Sequence, residues 1–170
     1  MKSYTIVYLF NPDFEASIGM LREKQGHPAL VDCFPAHLTI KRRFDLVTHE
    51  EEKKLIDIVG IFKAQRVGIK FDEVIKLGDV VALKTKEEKV IRMHGYFLNS
   101  LKMLGVDPSK YESNDYLPHI TLWRGIELKQ LPKIEELHLP SCETKKLCLY
   151  EIDPTSNRAF AKKIVCVSAQ

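Results

Sequence analysis

The feature that most restricts this chain is a tetrad that occurs twice, as His37-Leu38-Thr39-Ile40 and as His119-Ile120-Thr121-Leu122. Side chains on a strand alternate faces with period two. Read as strands, both tetrads place His and Thr on one face and two aliphatic side chains on the other. In a chain with 6 histidines and 45% hydrophobic residues, one such tetrad is expected by chance roughly 0.05 times. Two copies therefore mark a repeat.

The elements around the tetrads repeat as well. Residues 4–10 are β-branched and aromatic and read as a strand. Asn11 suits a helix cap with Pro12 at the first helical position; Phe14, Ile18 and Leu21 follow at helical spacing, and Gly26 is a stop. Thr48 with Glu51, and Thr85 with Glu88, form capping boxes. They predict helices carrying Leu55, Ile56, Val59 and Phe62, and then Val90, Ile91, His94, Phe97, Leu98, Leu101 and Leu104, with Gly105 at the C-terminal cap. Gly78-Asp79 is turn chemistry between strands over 67–77 and 79–84. A weaker helical stretch covers 128–137, and 147–152 with 160–167 reads as a closing hairpin. Each half runs strand, helix, loop, His-x-Thr strand, helix, strand, with no flexible linker between. The expected fold is α+β, a single domain over 1–170. It has two similar lobes of mainly antiparallel sheet with outer helices around a central cleft.

At 170 residues the chain can bury a core without covalent staples. Its four cysteines, Cys33, Cys142, Cys148 and Cys166, include no Cys-x-x-Cys pair and read as reduced, small buried hydrophobes. The longest apolar stretch, 4–10, is far below the roughly 20 residues a bilayer span needs. It leads into Asn11-Pro12-Asp13, unlike a signal-peptide cleavage site. A cytoplasmic monomer without membrane attachment is expected. The net charge of +3 permits a phosphate-bearing partner. A protein that holds duplex DNA through overall charge is usually more basic.

If the lobes face each other, His37, Thr39, His119 and Thr121 converge. Two imidazoles titrating near pH ~6.5 can be one neutral and one protonated. The neutral ring takes a proton from water and the charged ring protonates the leaving oxygen, while the Thr hydroxyls bond non-bridging phosphate oxygens. That chemistry needs no cofactor and no metal. Zinc is disfavoured, since the histidines lack His-x3-His or Cys-x-x-Cys company and a nearby carboxylate.

The two tetrads resemble the signature of the two-histidine (2H) phosphoesterases. The resemblance is to the branch named 2′-5′ RNA ligase, whose members are RNA 2′,3′-cyclic phosphodiesterases. That branch often continues its motifs as His-Leu-Thr-Leu-Lys and His-Val-Thr-Leu-x-Arg. Here they read His37-Leu38-Thr39-Ile40-Lys41 and His119-Ile120-Thr121-Leu122-Trp123-Arg124. The resemblance implies a bilobal fold over essentially the whole chain. It implies hydrolysis of 2′,3′-cyclic phosphate ends of RNA, or of cyclic nucleotides, to 2′-phosphates, with 2′-5′ ligation as the reverse reaction. It also implies His119 as base and His37 as acid. Where that branch commonly continues with Phe-Leu-Gly, this chain has Arg42-Arg43-Phe44, a departure that bears on substrate more than on chemistry. The alternatives are a 2H enzyme for another small phosphorylated substrate, or a non-catalytic RNA- or nucleotide-binding module.

The flanking residues carry two readings each. Lys41 shares parity with His37 and suits a phosphate, against a solvated strand end. Arg124 matches the family position but falls on the opposite face unless a bulge intervenes. Trp123 shares parity with His119 and suits base stacking, against core packing. Arg42 and Arg43 read as a wet basic face, and His94 as a satisfied core histidine.

Overall fold

The computed structural model describes residues 2–24, 35–107, 116–125, 130–153 and 161–170. The strand β1 (Lys2–Phe10) is followed by the helix α1 (Pro12–Lys24) and the strand β2 (His37–Leu46). Next come α2 (His49–Ile61), β3 (Gly68–Ile69), β4 (Glu73–Leu77), β5 (Val80–Lys84) and α3 (Glu88–Met103). The chain closes with β6 (His119–Arg124), a 3-10 turn (Ile134–Leu137), β7 (Cys142–Ile152) and β8 (Ala161–Ser168). Gly26, His27, Cys33 and the loop 108–115 lie outside the described residues.

The strands form two antiparallel sheets. One has the order β2-β1-β7, with β8 pairing Lys146–Ile152 and β3 pairing the start of β7 at Cys142 and Glu143. The other has the order β4-β5-β6. The two His-x-Thr strands, β2 and β6, are both sheet edges, and they approach within 8 Å Cα–Cα of each other. A single apolar cluster joins the sheets, with Tyr4, Ile6, Leu38 and Ile40 on one side and Val81, Leu83, Ile120 and Leu122 on the other. The α+β architecture with two sheets and outer helices is as expected.

Three local expectations change. The span 67–77 is not one strand: β3 joins the first sheet and β4 the second, so the chain crosses between sheets there. The lobes are consequently unequal, with five and three strands among the described residues. The Thr48 capping box forms, with Glu51 N–H donating to Oγ1 at 3.1 Å and Thr48 N–H to the Glu51 carboxylate at 3.0 Å. The Thr85 box does not. Its hydroxyl donates to the Lys70 carbonyl at 2.7 Å, holding the crossing, and the helix caps on Glu87 instead. Within 128–137 the described residues form only the 3-10 turn. Among the described residues no helix is long and apolar enough to cross a membrane.

The expectation of reduced cysteines is corrected at one pair. Cys148 on β7 and Cys166 on β8 are direct cross-strand partners with Cα atoms 4.2 Å apart, and they form a disulfide. The closing hairpin is legible in the sequence, but the register that sets these two cysteines opposite each other is not. Once the ladder is formed, the facing thiols need no backbone movement to join. The bridge sits with Val7 and Tyr150 in a small cluster apart from the main core. Cys142 is a free, buried thiol, and burial pushes its pKa up. Alkylating the denatured, unreduced protein should label Cys142 and leave Cys148 and Cys166 unmodified in peptide mass spectra; reductant should expose both.

Candidate active site

An extra residue interrupts each His-x-Thr strand at the same place. In β2, Thr39 pairs with Val7 and Lys41 with Ile6, so Ile40 is left over. In β6, Thr121 pairs with Ala82 and Trp123 with Val81, so Leu122 is left over. A bulge of this kind turns the following side chains to the other face. Burial records it twice. Over 35–42 and over 117–124 the positions run intermediate, buried, intermediate, buried, intermediate, buried, buried, exposed. The eight-residue match makes His37 equivalent to His119, Thr39 to Thr121, Lys41 to Trp123, and Arg42 to Arg124.

The imidazoles are held alike. His37 Nδ1 lies 2.9 Å from the Pro35 carbonyl and His119 Nδ1 lies 2.8 Å from the Leu117 carbonyl, each two residues upstream. A carbonyl only accepts, so Nδ1 carries the hydrogen in both rings. Nε2, at the far end of each ring, is then the proton-exchanging atom. Burial pushes His37 down to about 4, helped by the nearby positive groups Arg22 and His119 and opposed by the Pro35 bond. His37 is thus neutral at neutral pH.

Each Thr backbone carbonyl is gripped by a group from outside its own sheet. Tyr116, just before β6, donates its hydroxyl to the Thr39 carbonyl at 2.7 Å. Arg22, on α1, donates from Nη2 to the Thr121 carbonyl at 2.7 Å. Tyr116 also stacks on His94 of α3, with ring centroids 3.8 Å apart, and His94 Nδ1 reaches the carbonyl of the bulged Ile40 at 2.7 Å. His94 is therefore the satisfied core histidine expected, and it supports the bulge.

Arg22 is the site residue that the sequence reading misses. The buried stripe of α1 is Phe14, Ile18 and Arg22, at spacings of four, with Leu21 only partly buried. A basic residue closing an apolar stripe is the available signal. Arg22 is 4% exposed, and its Nε has no hydrogen-bond partner among the described residues. A buried cation with no acid paired to it among those residues favours an anion nearby.

The bulges also sort the flanking residues. Lys41 is fully buried; its Nζ donates to the Arg42 carbonyl at 3.2 Å and lies 5.9 Å from the Phe44 ring centroid. The parity reading that put it beside His37 fails because Ile40 intervenes. Trp123 is 2% exposed and donates Nε1 to the Leu21 carbonyl at 3.1 Å. This is the packing reading, and the ring face is not offered for stacking. Arg124 gains what Lys41 and Trp123 lose. The bulge returns it to the His119 face, where it is exposed and 4.0 Å from Asp79. Among the described residues no group of three or more His, Cys, Asp or Glu is placed to hold a metal.

No protein-family model matches the chain, and no curated protein does. Solved structures match over nearly the full length. Escherichia coli LigT complexed with 3′-AMP has a TM-score of 0.72 at 19% identity, covering 99% of this chain and 98% of that one. A phosphoesterase has a TM-score of 0.71 at 17% identity, covering 99% of both chains. A protein of Thermus thermophilus has 0.68 at 16% identity, covering 98% of this chain and 97% of that one. The resemblance to the 2H phosphoesterases carried by the two tetrads thus extends to the fold.

Stability should record the state of His37. Unfolded, it titrates near pH ~6.5; folded, near 4. Between these values the unfolded chain binds more protons, so stability is complete above the upper value and is lost as pH falls through the window, by about 3 kcal/mol at its end. Urea midpoints of the wild type should fall more from pH 7 to 4.5 than those of His37→Gln.

Proposed function

We propose that the protein is a metal-independent phosphodiesterase acting on 2′,3′-cyclic phosphate ends of RNA or on cyclic nucleotides. The observation that carries this is the matched pair of imidazoles. Both are pinned through Nδ1 to a carbonyl two residues upstream, on two sheet edges that face each other. Nothing in core packing requires two histidines to be oriented identically by separate halves of the chain. LigT, which shares the fold, has been solved with 3′-AMP and with phosphate.

His37, held neutral by burial and by Arg22, takes a proton from water through Nε2. The hydroxide oxygen bonds to phosphorus as the bond from phosphorus to the ribose 3′-oxygen breaks. His119, protonated, gives its Nε2 proton to that oxygen, and a 2′-phosphate remains. Thr39, Thr121 and Arg124 surround the non-bridging oxygens with donors, and Arg22 adds fixed positive charge behind them. This assigns base to His37 and acid to His119, the reverse of what the family resemblance implies. With the 5′-hydroxyl of a second RNA end in place of water, the same two transfers open the ring to a 2′-5′ linkage and a free 3′-hydroxyl, but concentrated water favours hydrolysis.

With EDTA present, purified protein should convert 2′,3′-cyclic nucleotides or cyclic-phosphate-ended RNA to 2′-phosphates, with a bell-shaped pH–rate curve. His37→Ala and His119→Ala should each lose about 10²–10⁴-fold. No turnover, or equal turnover by either variant, rejects the proposal. The roles separate on an aryl phosphodiester whose leaving group needs no proton. There His119→Ala should recover most of its loss and His37→Ala none; the opposite pattern restores the family assignment.

A further inference from the structure

We infer that Arg42 is a second phosphate-gripping arm, the first-lobe counterpart of Arg124, and that it selects RNA ends over lone cyclic nucleotides. This rests on the proposed function and names the substrate class for the same site.

Arg42 follows the bulge at Ile40 by two residues. Without it, Arg42 would fall on the face opposite His37 and Thr39. With it, the positions run buried at Ile40, buried at Lys41 and exposed at Arg42; the ladder then breaks again, with Arg42 and Arg43 set against Thr5 alone, and the exposed Arg42 lies away from the buried side of Lys41 and Phe44. Arg124 is exposed after a buried residue in the same way, in register with Val80. The two arginines thus hold matching positions after the bulges of two edge strands that approach each other.

Their surroundings support a ligand role. Three cations of the first sheet are held in ion pairs: Lys2 with Glu52 and Glu151, Arg43 with Asp45, and Lys145 with Glu143. Arg42 has no ion pair or side-chain hydrogen bond among the described residues. Its carbonyl accepts from Nζ of the buried Lys41 at 3.2 Å. An exposed, uncommitted guanidinium suits bidentate capture of a phosphate.

Reach decides which phosphate. Arg42 stands three residues beyond Thr39, roughly 10 Å along the strand at ~3.3 Å per residue, less the bulge. The scissile phosphorus already has two hydroxyls and Arg124 beside it. A lone cyclic nucleotide carries no second phosphate, whereas an RNA end carries one on the 5′ side of its last nucleotide. That is the group left for Arg42.

The test compares wild type, Arg42→Ala and Arg42→Lys on a 2′,3′-cyclic mononucleotide and on a short RNA ending in 2′,3′-cyclic phosphate. The wild type should prefer the RNA in kcat/KM. In Arg42→Ala that preference should fall about tenfold, through KM, the size expected for one lost charge-assisted contact. Arg42→Lys should keep part of it, and the salt dependence of log KM on RNA should become shallower by about 0.7 in Arg42→Ala. An unchanged preference, or an equal loss on both substrates, overturns the inference. If the wild type turns over neither substrate, the proposed function fails instead. Arg42 is then judged by fluorescence anisotropy with a labelled RNA ending in a 3′-phosphate: weaker binding by Arg42→Ala sustains it and an unchanged Kd overturns it.

Discussion

A surplus residue at the same place in each of two edge strands governs this site. Edge strands tolerate bulges because only one side of the ladder must stay in register. Here the insertions at Ile40 and Leu122 decide which side chains meet the cleft and which enter the core. His and Thr lie before the insertion and keep simple alternation. The residue directly after it is buried, whether it is lysine or tryptophan. The arginine one place further returns to the open face. Both bulges leave a carbonyl region that other elements then hold, as His94 does at Ile40.

Much of this is legible in the sequence, and the boundary of legibility is physical. The strands, two of the capped helices and the pairing of the tetrads follow from periodicity and from cap chemistry, which are local. The placement of Lys41, Trp123 and Arg124 does not, because parity counting assumes an unbroken ladder. A bulge depends on the partner strand, which local sequence does not specify. The crossing between β3 and β4 has the same origin: a continuous β-prone run is shared between two sheets. The Thr85 hydroxyl is drawn to the Lys70 carbonyl by that crossing, out of the box its spacing advertises. Arg22 hides in plain view, since a cation closing an apolar stripe is ordinarily discounted.

The two halves are alike in geometry and unlike in charge. Tyr116 holds Thr39 with a neutral hydroxyl, whereas Arg22 holds Thr121 with a guanidinium. A symmetric pair of imidazoles would have no reason to divide acid from base. Burial first, and the Arg22 charge after it, disfavour a positive charge on His37. On the proposed reading, the division of labour between the rings follows from their surroundings rather than from the histidines themselves.

The crossed clasps also bear on motion. Tyr116 precedes β6 yet grips β2, and α1 leads towards β2 yet grips β6 through Arg22 and Leu21. Parting the sheets would therefore release both motifs together. Amide protons of the two strands would exchange with solvent as one cooperative unit, sharing a single opening free energy although they lie in opposite halves of the polypeptide. A site assembled in this way is either whole or absent, with no half-formed state left exposed.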